Sequence, residues 1–292
     1  MLALILATVT LSGCVEKPTV KSIEYKWGKV TSEQTEILSY ITINNPNPVP
    51  IPLGDVEVDV LMNGILMGHG SAIGDTTISA SSDDTLTLSI KLDNDKLVDW
   101  WVSHIENGEK TVMRVKSSLV FNILGYKFRT PPMEQSNTIE TSMLSQISIE
   151  GASLEVAGVK AVEITRASAK WGDVNKERTQ IIIDAEVKNN MPVPIPIKFL
   201  TYTIEMNGIK MGSGKVKSDV IIPPKSKKSI ELVMNIDNSK IPEWWVSHIK
   251  NGEKTTISIS TEVTVEFMGE EYTFKLFTQN YEFSTNLVGS MK

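Results

Sequence analysis

Residues Trp100–Thr111 read WWVSHIENGEKT, and residues Trp244–Thr255 read WWVSHIKNGEKT. The offset is 144 residues (244 − 100), and it recurs along the chain. Lys26-Trp27-Gly28 returns as Lys170-Trp171-Gly172, and Met62-Asn63-Gly64-Ile65 returns as Met206-Asn207-Gly208-Ile209. A gap-free period of this length is a duplicated domain, because solenoid repeats run to only about 20–50 residues. Each copy, at about 125 residues, is long enough to bury its own core. The expected organisation is a first unit at 15–145, a linker at 146–158 where Gly and Ser gather, and a second unit at 159–288. Since each copy carries every element, each is expected to fold alone.

The 292 residues are 41% apolar and 22% charged, the composition of a folded globular protein. A net charge of −6 with scattered Lys and Arg disfavours a nucleic-acid surface, which needs a basic stripe against phosphates. The single cysteine, Cys14, rules out an intrachain disulfide. Only three histidines accompany it, so neither a structural zinc site nor any other metal or cofactor is expected.

Most of each unit reads as strand. In Thr85–Leu92, residues Leu86, Leu88, Ile90 and Leu92 alternate with polar ones; Ile230, Leu232, Met234 and Ile236 do so in the second copy. Val56, Val58, Val60 and Met62 alternate too, and the Asn63-Gly64 that follows is a two-residue hairpin turn, as is Asn207-Gly208. Further strands are expected near Thr35–Asn44, Ile65–Ala72, Lys110–Phe121 and Tyr126–Thr138. About seven short strands per unit predict a mainly β protein, with two tandem antiparallel fibronectin-III-like β-sandwiches and one short α-helix in each.

The stretch NPNPVPIPL, Asn45–Leu53, places proline at every second position from Pro46 to Pro52, and Pro192, Pro194 and Pro196 repeat the pattern. In a strand the N–H groups of residues i and i+2 point to one edge. The pattern therefore predicts a strand stripped of donors on one side, a stiff sheet edge closed to other chains. A proline-rich docking ligand would need PxxP spacing, which is absent.

The helix is expected around the repeated block. Asp95 or Ser239 can cap it, Pro242 suits its first turn, and Gly108 and Gly252 stop it. Lys96, Asp99, Ser103 and Glu106 share a narrow polar arc, while Trp100, Trp101, His104 and Ile105 lie on the wide apolar one. Such a helix can tuck into a sandwich corner, or it can guard an apolar pocket or offer tryptophan to a membrane. Trp100, Trp101, Trp244 and Trp245 are accordingly the candidate apolar-contact residues. Trp101 lies between Leu97 and Ile105 and is expected buried, whereas Trp100 borders the polar arc and is expected to be the exposed ring.

No catalytic constellation emerges, and an enzyme is not expected. His104 and His248 fall inside the apolar arc, as core histidines with one hydrogen bond would. His69 has Ser213 as its counterpart, so the copies do not share it. Asp93-Asn94-Asp95 lacks the Gly and distant Glu of a calcium loop and suits helix capping. Gly68-His69-Gly70 lies on a hairpin strand and opens no helix, so it is no phosphate loop.

The chain opens MLALILATVTLSGC. Its apolar run is too short for a membrane-spanning helix of about 20 residues and suits a signal-peptide core. Leu11-Ser12-Gly13-Cys14 resembles a lipobox, which implies cleavage after residue 13 and lipidation of Cys14. The expectation is a protein in the cell envelope, lipid-anchored at the outer face of the cytoplasmic membrane.

Asn45-Pro46-Asn47 with the apolar residues and prolines after it, the Gly-containing strand-turn-strand, and the alternating strand beyond resemble the folded, second type of late embryogenesis abundant protein, which carries the water-stress and hypersensitive-response (WHy) domain. The resemblance covers both units. The second copy departs from it with Asn189-Asn190-Met191. It implies a fibronectin-like sandwich with one helix, a role in desiccation or other water stress, and no catalytic residue. Tandem copies behind a lipobox look like archaeal or bacterial members. Two functions are open: shielding membranes or client proteins under water stress, or carrying an apolar ligand such as a lipid chain between sandwich and helix.

Overall fold

The computed structural model describes residues 16–289 except positions 75, 124, 148 and 157. The lipobox and Cys14 lie outside the described residues. In the first unit, β1 (Thr19–Val30), β2 (Gln34–Asn45), β3 (Ile51–Met62), β4 (Ile65–Ile73), β5 (Thr77–Ile78) and β6 (Ser82–Asp93) precede α1 (Leu97–Glu106); β7 (Lys110–Ile123), β8 (Tyr126–Arg129) and β9 (Met133–Glu140) follow it. The second unit repeats the series as β10 (Ser153–Val156), β11 (Val159–Val174), β12 (Arg178–Asn189), β13 (Ile195–Met206), β14 (Ile209–Lys217), β15 (Ile221–Ile222), β16 (Lys227–Asp237), α2 (Ile241–Lys250), β17 (Lys254–Phe267) and β18 (Glu270–Ser284). All pairings among these strands are antiparallel. The mainly β, two-unit fold with one short helix per unit is as the sequence predicts. The segment 146–158 contains β10, which pairs with β11 of the second unit.

In the first unit the strand order is β1-β2-β6-β4-β3-β7-β8, with β5 on β3 and β9 on β7. β4 joins the two halves by pairing with both β3 and β6. That double duty explains Gly68: a Cβ there would overlap the Lys91 carbonyl oxygen of β6. Gly212 stands in the same relation to Asn235. The second unit splits into two sheets, β10-β11-β12-β16 and β14-β13-β17-β18. The alternating residues face inward as expected: Leu86, Leu88, Ile90 and Leu92 are buried, as are Ile230, Leu232, Met234 and Ile236. Asn63-Gly64 and Asn207-Gly208 both take positive φ, as a two-residue hairpin turn requires.

The prolines behave differently from the edge-strand expectation. Residues 46–50 and 190–194 lie outside the strands, with bends at 47–49 and 191–193, and of the alternating prolines only Pro52 and Pro196 lie in strands, each opposite a two-residue strand. The segment must carry the chain from β2 to β3, which are separated in sheet order by β6 and β4. What fixes the crossing is the first Asn of the motif. The fully buried Asn45 amide donates to the Val49 and Ser79 carbonyls at 2.8 and 2.9 Å, and its oxygen accepts from the Asn47 N–H at 2.9 Å. Asn189 does the same with Val193, Pro223 and Met191. The second copy can therefore depart at 190 and 191 because the bond-making position, 189, is retained. Pro131 and Pro132, which lack N–H groups, separate β8 from β9, whereas the second unit runs straight through as β18.

The helical segments begin two residues earlier than a cap at Asp95 or Ser239 would place them. A 3-10 turn at Asn94–Lys96 precedes α1, and Asp93, not Asp95, caps it by accepting from the Asp95 N–H. Asp237, not Ser239, does this for the 3-10 turn Asn238–Lys240 that precedes α2. Asn94, between the two acids, is buried and donates to the Thr31 and Ser32 carbonyls, so the acidic triplet is a structural cap. Gly108 (φ 70°) and Gly252 (φ 70°) end the helices.

Candidate functional site

α1 and α2 pack against each other, and all six tryptophans of the chain lie in the seam they form between the two units. Trp100 meets Trp245 edge to face at 5.0 Å between ring centres, and Trp101 meets Trp244 at 5.4 Å. Trp27 of β1 and Trp171 of β11 stand on the flanks, 6.2 Å from Trp245 and 6.4 Å from Trp101. Edge-to-face pairs at these distances suit the ring quadrupoles.

Every indole N–H has an acceptor, and four of the six reach into the other unit. Trp101 donates to Thr179 Oγ1 (2.8 Å) and Trp245 to Thr35 Oγ1 (3.0 Å). Trp171 donates to Glu109 Oε1 (3.0 Å) and Trp27 to Glu253 Oε1 (2.8 Å). Trp100 and Trp244 stay within their own units, on Thr111 and Thr255. Thr35 and Thr179 pass the chain of bonds on to Asn94 and Asn238. The pattern has pseudo-two-fold symmetry: adding 144 to one bond's residue numbers, or subtracting it, gives its mate.

The buried carboxylates close the second half of the network. Glu109 takes φ 60°, a region that disfavours side chains other than Gly or Asn. Three donors aim at it: Trp171 Nε1, Thr141 Oγ1 (2.9 Å) and the Met143 N–H (2.6 Å). Glu253 receives the same three from Trp27, Thr285 (2.8 Å) and Leu287 (2.6 Å). These bonds also fix the histidine tautomer. Thr141 gives its hydroxyl proton to the carboxylate, so its oxygen accepts from His104 Nε2–H at 3.0 Å. His104 Nδ1 then accepts from the Thr111 hydroxyl at 2.8 Å, whose oxygen accepts from Trp100. His248 is held identically by Thr255 and Thr285. Both ring nitrogens are thus engaged in each copy, against the one bond expected. Burial in this apolar setting pushes both histidines down from 6.5 to about 4, with Glu109 and Glu253 opposing the shift.

The four candidate apolar-contact residues, Trp100, Trp101, Trp244 and Trp245, are all buried, and their ring partners lie across the seam. Trp100, expected to be exposed, is 5% accessible because α2 covers the side of α1 that would otherwise face water. The void at the centre of the seam measures about 20 Å³, room for about one water molecule. No alkyl chain fits between helix and sandwich. At the rim, Asn137 donates to the Asn286 and Leu287 carbonyls, and Lys176 pairs with Asp99 at 2.6 Å. His69 lies apart on β4, exposed and 2.7 Å from Asp59. No helix among the described residues is long and apolar enough to cross a membrane.

Sequence reasoning did not single out Glu109, Glu253, Thr35, Thr179, Thr141 or Thr285. The signal was identity at the 144-residue offset; Glu109 and Glu253 even sit inside the quoted repeats, but nothing in the sequence ties them to a tryptophan of the other copy.

Residues 40–137 and 184–276 match the family described as late embryogenesis abundant protein. An uncharacterised protein of Methanocaldococcus jannaschii is 30% identical over 127 residues, which cover 42% of this chain and 71% of the relative. A protein from Archaeoglobus fulgidus with a crystal structure is 37% identical, covering 43% of this chain and 99% of that one at a TM-score of 0.41. An Arabidopsis thaliana protein with a solution structure is 16% identical, covering 44% and 87% of the two chains at a TM-score of 0.34.

Proposed function

The chain belongs to the late embryogenesis abundant protein family, and on that premise we propose that it is a non-enzymatic protein that shields client proteins or membranes under water stress, anchored by lipid on Cys14 at the outer face of the cytoplasmic membrane. The observation that carries the non-enzymatic reading is the state of the two shared histidines. Each has both ring nitrogens bonded to threonine hydroxyls and no nitrogen left for a substrate. A general base must reach the proton it removes, and these cannot. The protective reading rests on family membership and on a framework whose seam exchanges bonds with itself in place of water.

Drying tests it. A labile soluble enzyme is dried and rehydrated with this protein or with an equal mass of serum albumin. The expected result is several-fold higher recovery with this protein; equal recovery refutes the protective role. For the anchor, Cys14→Ser is expected to move the protein from the membrane fraction to the soluble one. Retention on washed membranes would refute lipidation at Cys14.

A further inference from the structure

The two units differ at the end remote from the seam. In the first, that end carries a polar latch and a covering lysine. Asn47 and the Glu16 backbone exchange two hydrogen bonds of 2.8 Å. Lys17 lays its ammonium over the Phe128 ring at 5.0 Å, and Phe121, paired with Phe128 across β7 and β8, is fully buried beneath. Subtracting 144 from second-unit numbers shows what has changed: Asn47 is replaced by Met191, Lys17 by Ala161, Phe121 by Val265 and Phe128 by Tyr272. The polar latch and the covering lysine are gone, and the plugging ring has shrunk to valine.

A cavity of about 250 Å³ occupies the place. Met191, Val193, Val265, Phe267, Tyr272 and Phe274 line it. It shares Leu154, Ile195 and Val265 with a second void of about 50 Å³ between the two sheets, so it leads inward from the surface. Together they reach the lower end of the range for small-molecule sites, about 300 Å³. Among the described residues of the lining the one charged side chain, Glu266, is ion-paired with Lys198. Val159, Val193, Phe267, Met268 and Tyr272 are exposed around this end, Met268 at 88%. Single exposed apolar residues are ordinary, but five around an apolar opening mark a binding site.

The structure assigns to this open end a site for one alkyl chain of a lipid, inserted between the β10–β11 and β17–β18 hairpins with its polar head left in water. The polar side chains of the lining among the described residues are Glu266, already ion-paired, and the half-exposed Tyr272; the rest is apolar. Its inward course between two sheets suits a flexible chain. The first unit, with Asn47, Lys17, Phe121 and Phe128 at the corresponding positions, serves as an internal comparison. This site lies at the opposite end of the sandwich from the helix, and it is independent of the protective reading.

The test titrates the full chain, free of detergent, with cis-parinaric acid below its aggregation limit. Saturable binding at one chain per protein is expected. Val265→Phe restores the first unit's plug and should weaken binding at least tenfold while the melting temperature holds or rises. Ala161→Lys, restoring the lid over Tyr272, should weaken it as well. Competition by hexadecanol against phytol separates the two sources of such a chain: stronger competition by hexadecanol means a straight fatty chain, and stronger competition by phytol means a branched isoprenoid chain. Absence of saturable binding overturns the proposal, as does unchanged affinity in a folded Val265→Phe protein. Adsorption to phosphatidylcholine vesicles with no uptake of the probe from solution also overturns it, and would make the exposed rim a membrane contact.

Discussion

Moderate acid should destabilise this protein, and the histidines of the seam set the window. His104 and His248 fall from 6.5 to about 4 because burial disfavours their charged form. A depressed folded value means that stability is complete above 6.5, declines below it as the unfolded chain takes up protons the folded one refuses, and stops declining near 4. At pH 4.5 protonation favours the unfolded imidazole over the folded one by about 2–3 kcal/mol. The pair together therefore costs about 5 kcal/mol of a typical total of about 5–15 kcal/mol. The carboxylates with lowered values, Glu36 and Glu186 among them, start from 4.5, so their contribution overlaps only the acid end of this window and lies mainly below it.

The assay is urea unfolding followed by tryptophan emission at pH 7.5 and pH 4.5. All six reporters sit in the seam, so the signal reads the affected region directly. Wild type should lose about 5 kcal/mol between the two pH values and His248→Gln about half as much. Equal stability at both pH values would refute the argument, and so would an undiminished pH dependence in a folded His104→Gln/His248→Gln protein.

Three further outcomes are expected. Glu109→Gln makes one acceptor oxygen a donor facing Trp171 or Thr141 and Met143, and should cost about 2–3 kcal/mol in urea unfolding; a loss under 0.5 kcal/mol would mean that the carboxylate is idle. Asn45→Ala strips the crossing from β2 to β3 of its latch and should cost about 1–3 kcal/mol, with Asn189→Ala matching it in the second unit and Asn47→Ala costing less. The fragment 15–145 should form a dimer by sedimentation, with Trp101→Asp breaking it, because its own Trp27 and Trp101 can reach the Glu109 and Thr35 of a second copy; a well-folded monomer at high concentration would refute that.

Legibility followed the range of the interaction. Alternation in β6 and β16, the Asn-Gly turns and the glycine helix stops are local, and each was readable because the residue itself dictates the backbone. The prolines misled because period two also suits a bent crossing, and the deciding contact, Asn45 to Ser79, spans 34 residues. The cap was missed by two positions because Asp93 and Asp95 are chemically alike and only the 3-10 turn chooses between them. Trp100 was misplaced for a different reason. Helical geometry gave its arc correctly, but the partner covering that arc is α2, 210 residues from Thr35 by the bond that ties it down. A helical wheel reports which side is apolar and is silent on what lies against it.

The apolar face, too wide for one sheet, points to the logic of the duplication. Each unit holds both the donors and the acceptors of the cross-seam bonds: Trp27 and Trp101 on one side, Glu109 and Thr35 on the other, repeated as Trp171, Trp245, Glu253 and Thr179. A surface complementary to itself is the signature of a two-fold interface between identical chains. Joining the partners in one chain makes their association intramolecular and independent of protein concentration. That matters for a seam with buried carboxylates, which are costly when unpaired. Once pairing is guaranteed by the chain, the seam can keep its polar network, while the remote ends are free to diverge. The first unit's end is covered by Asn47, Lys17 and Phe121, which bond or pack there; the second has Met191, Ala161 and Val265 and opens into a cavity.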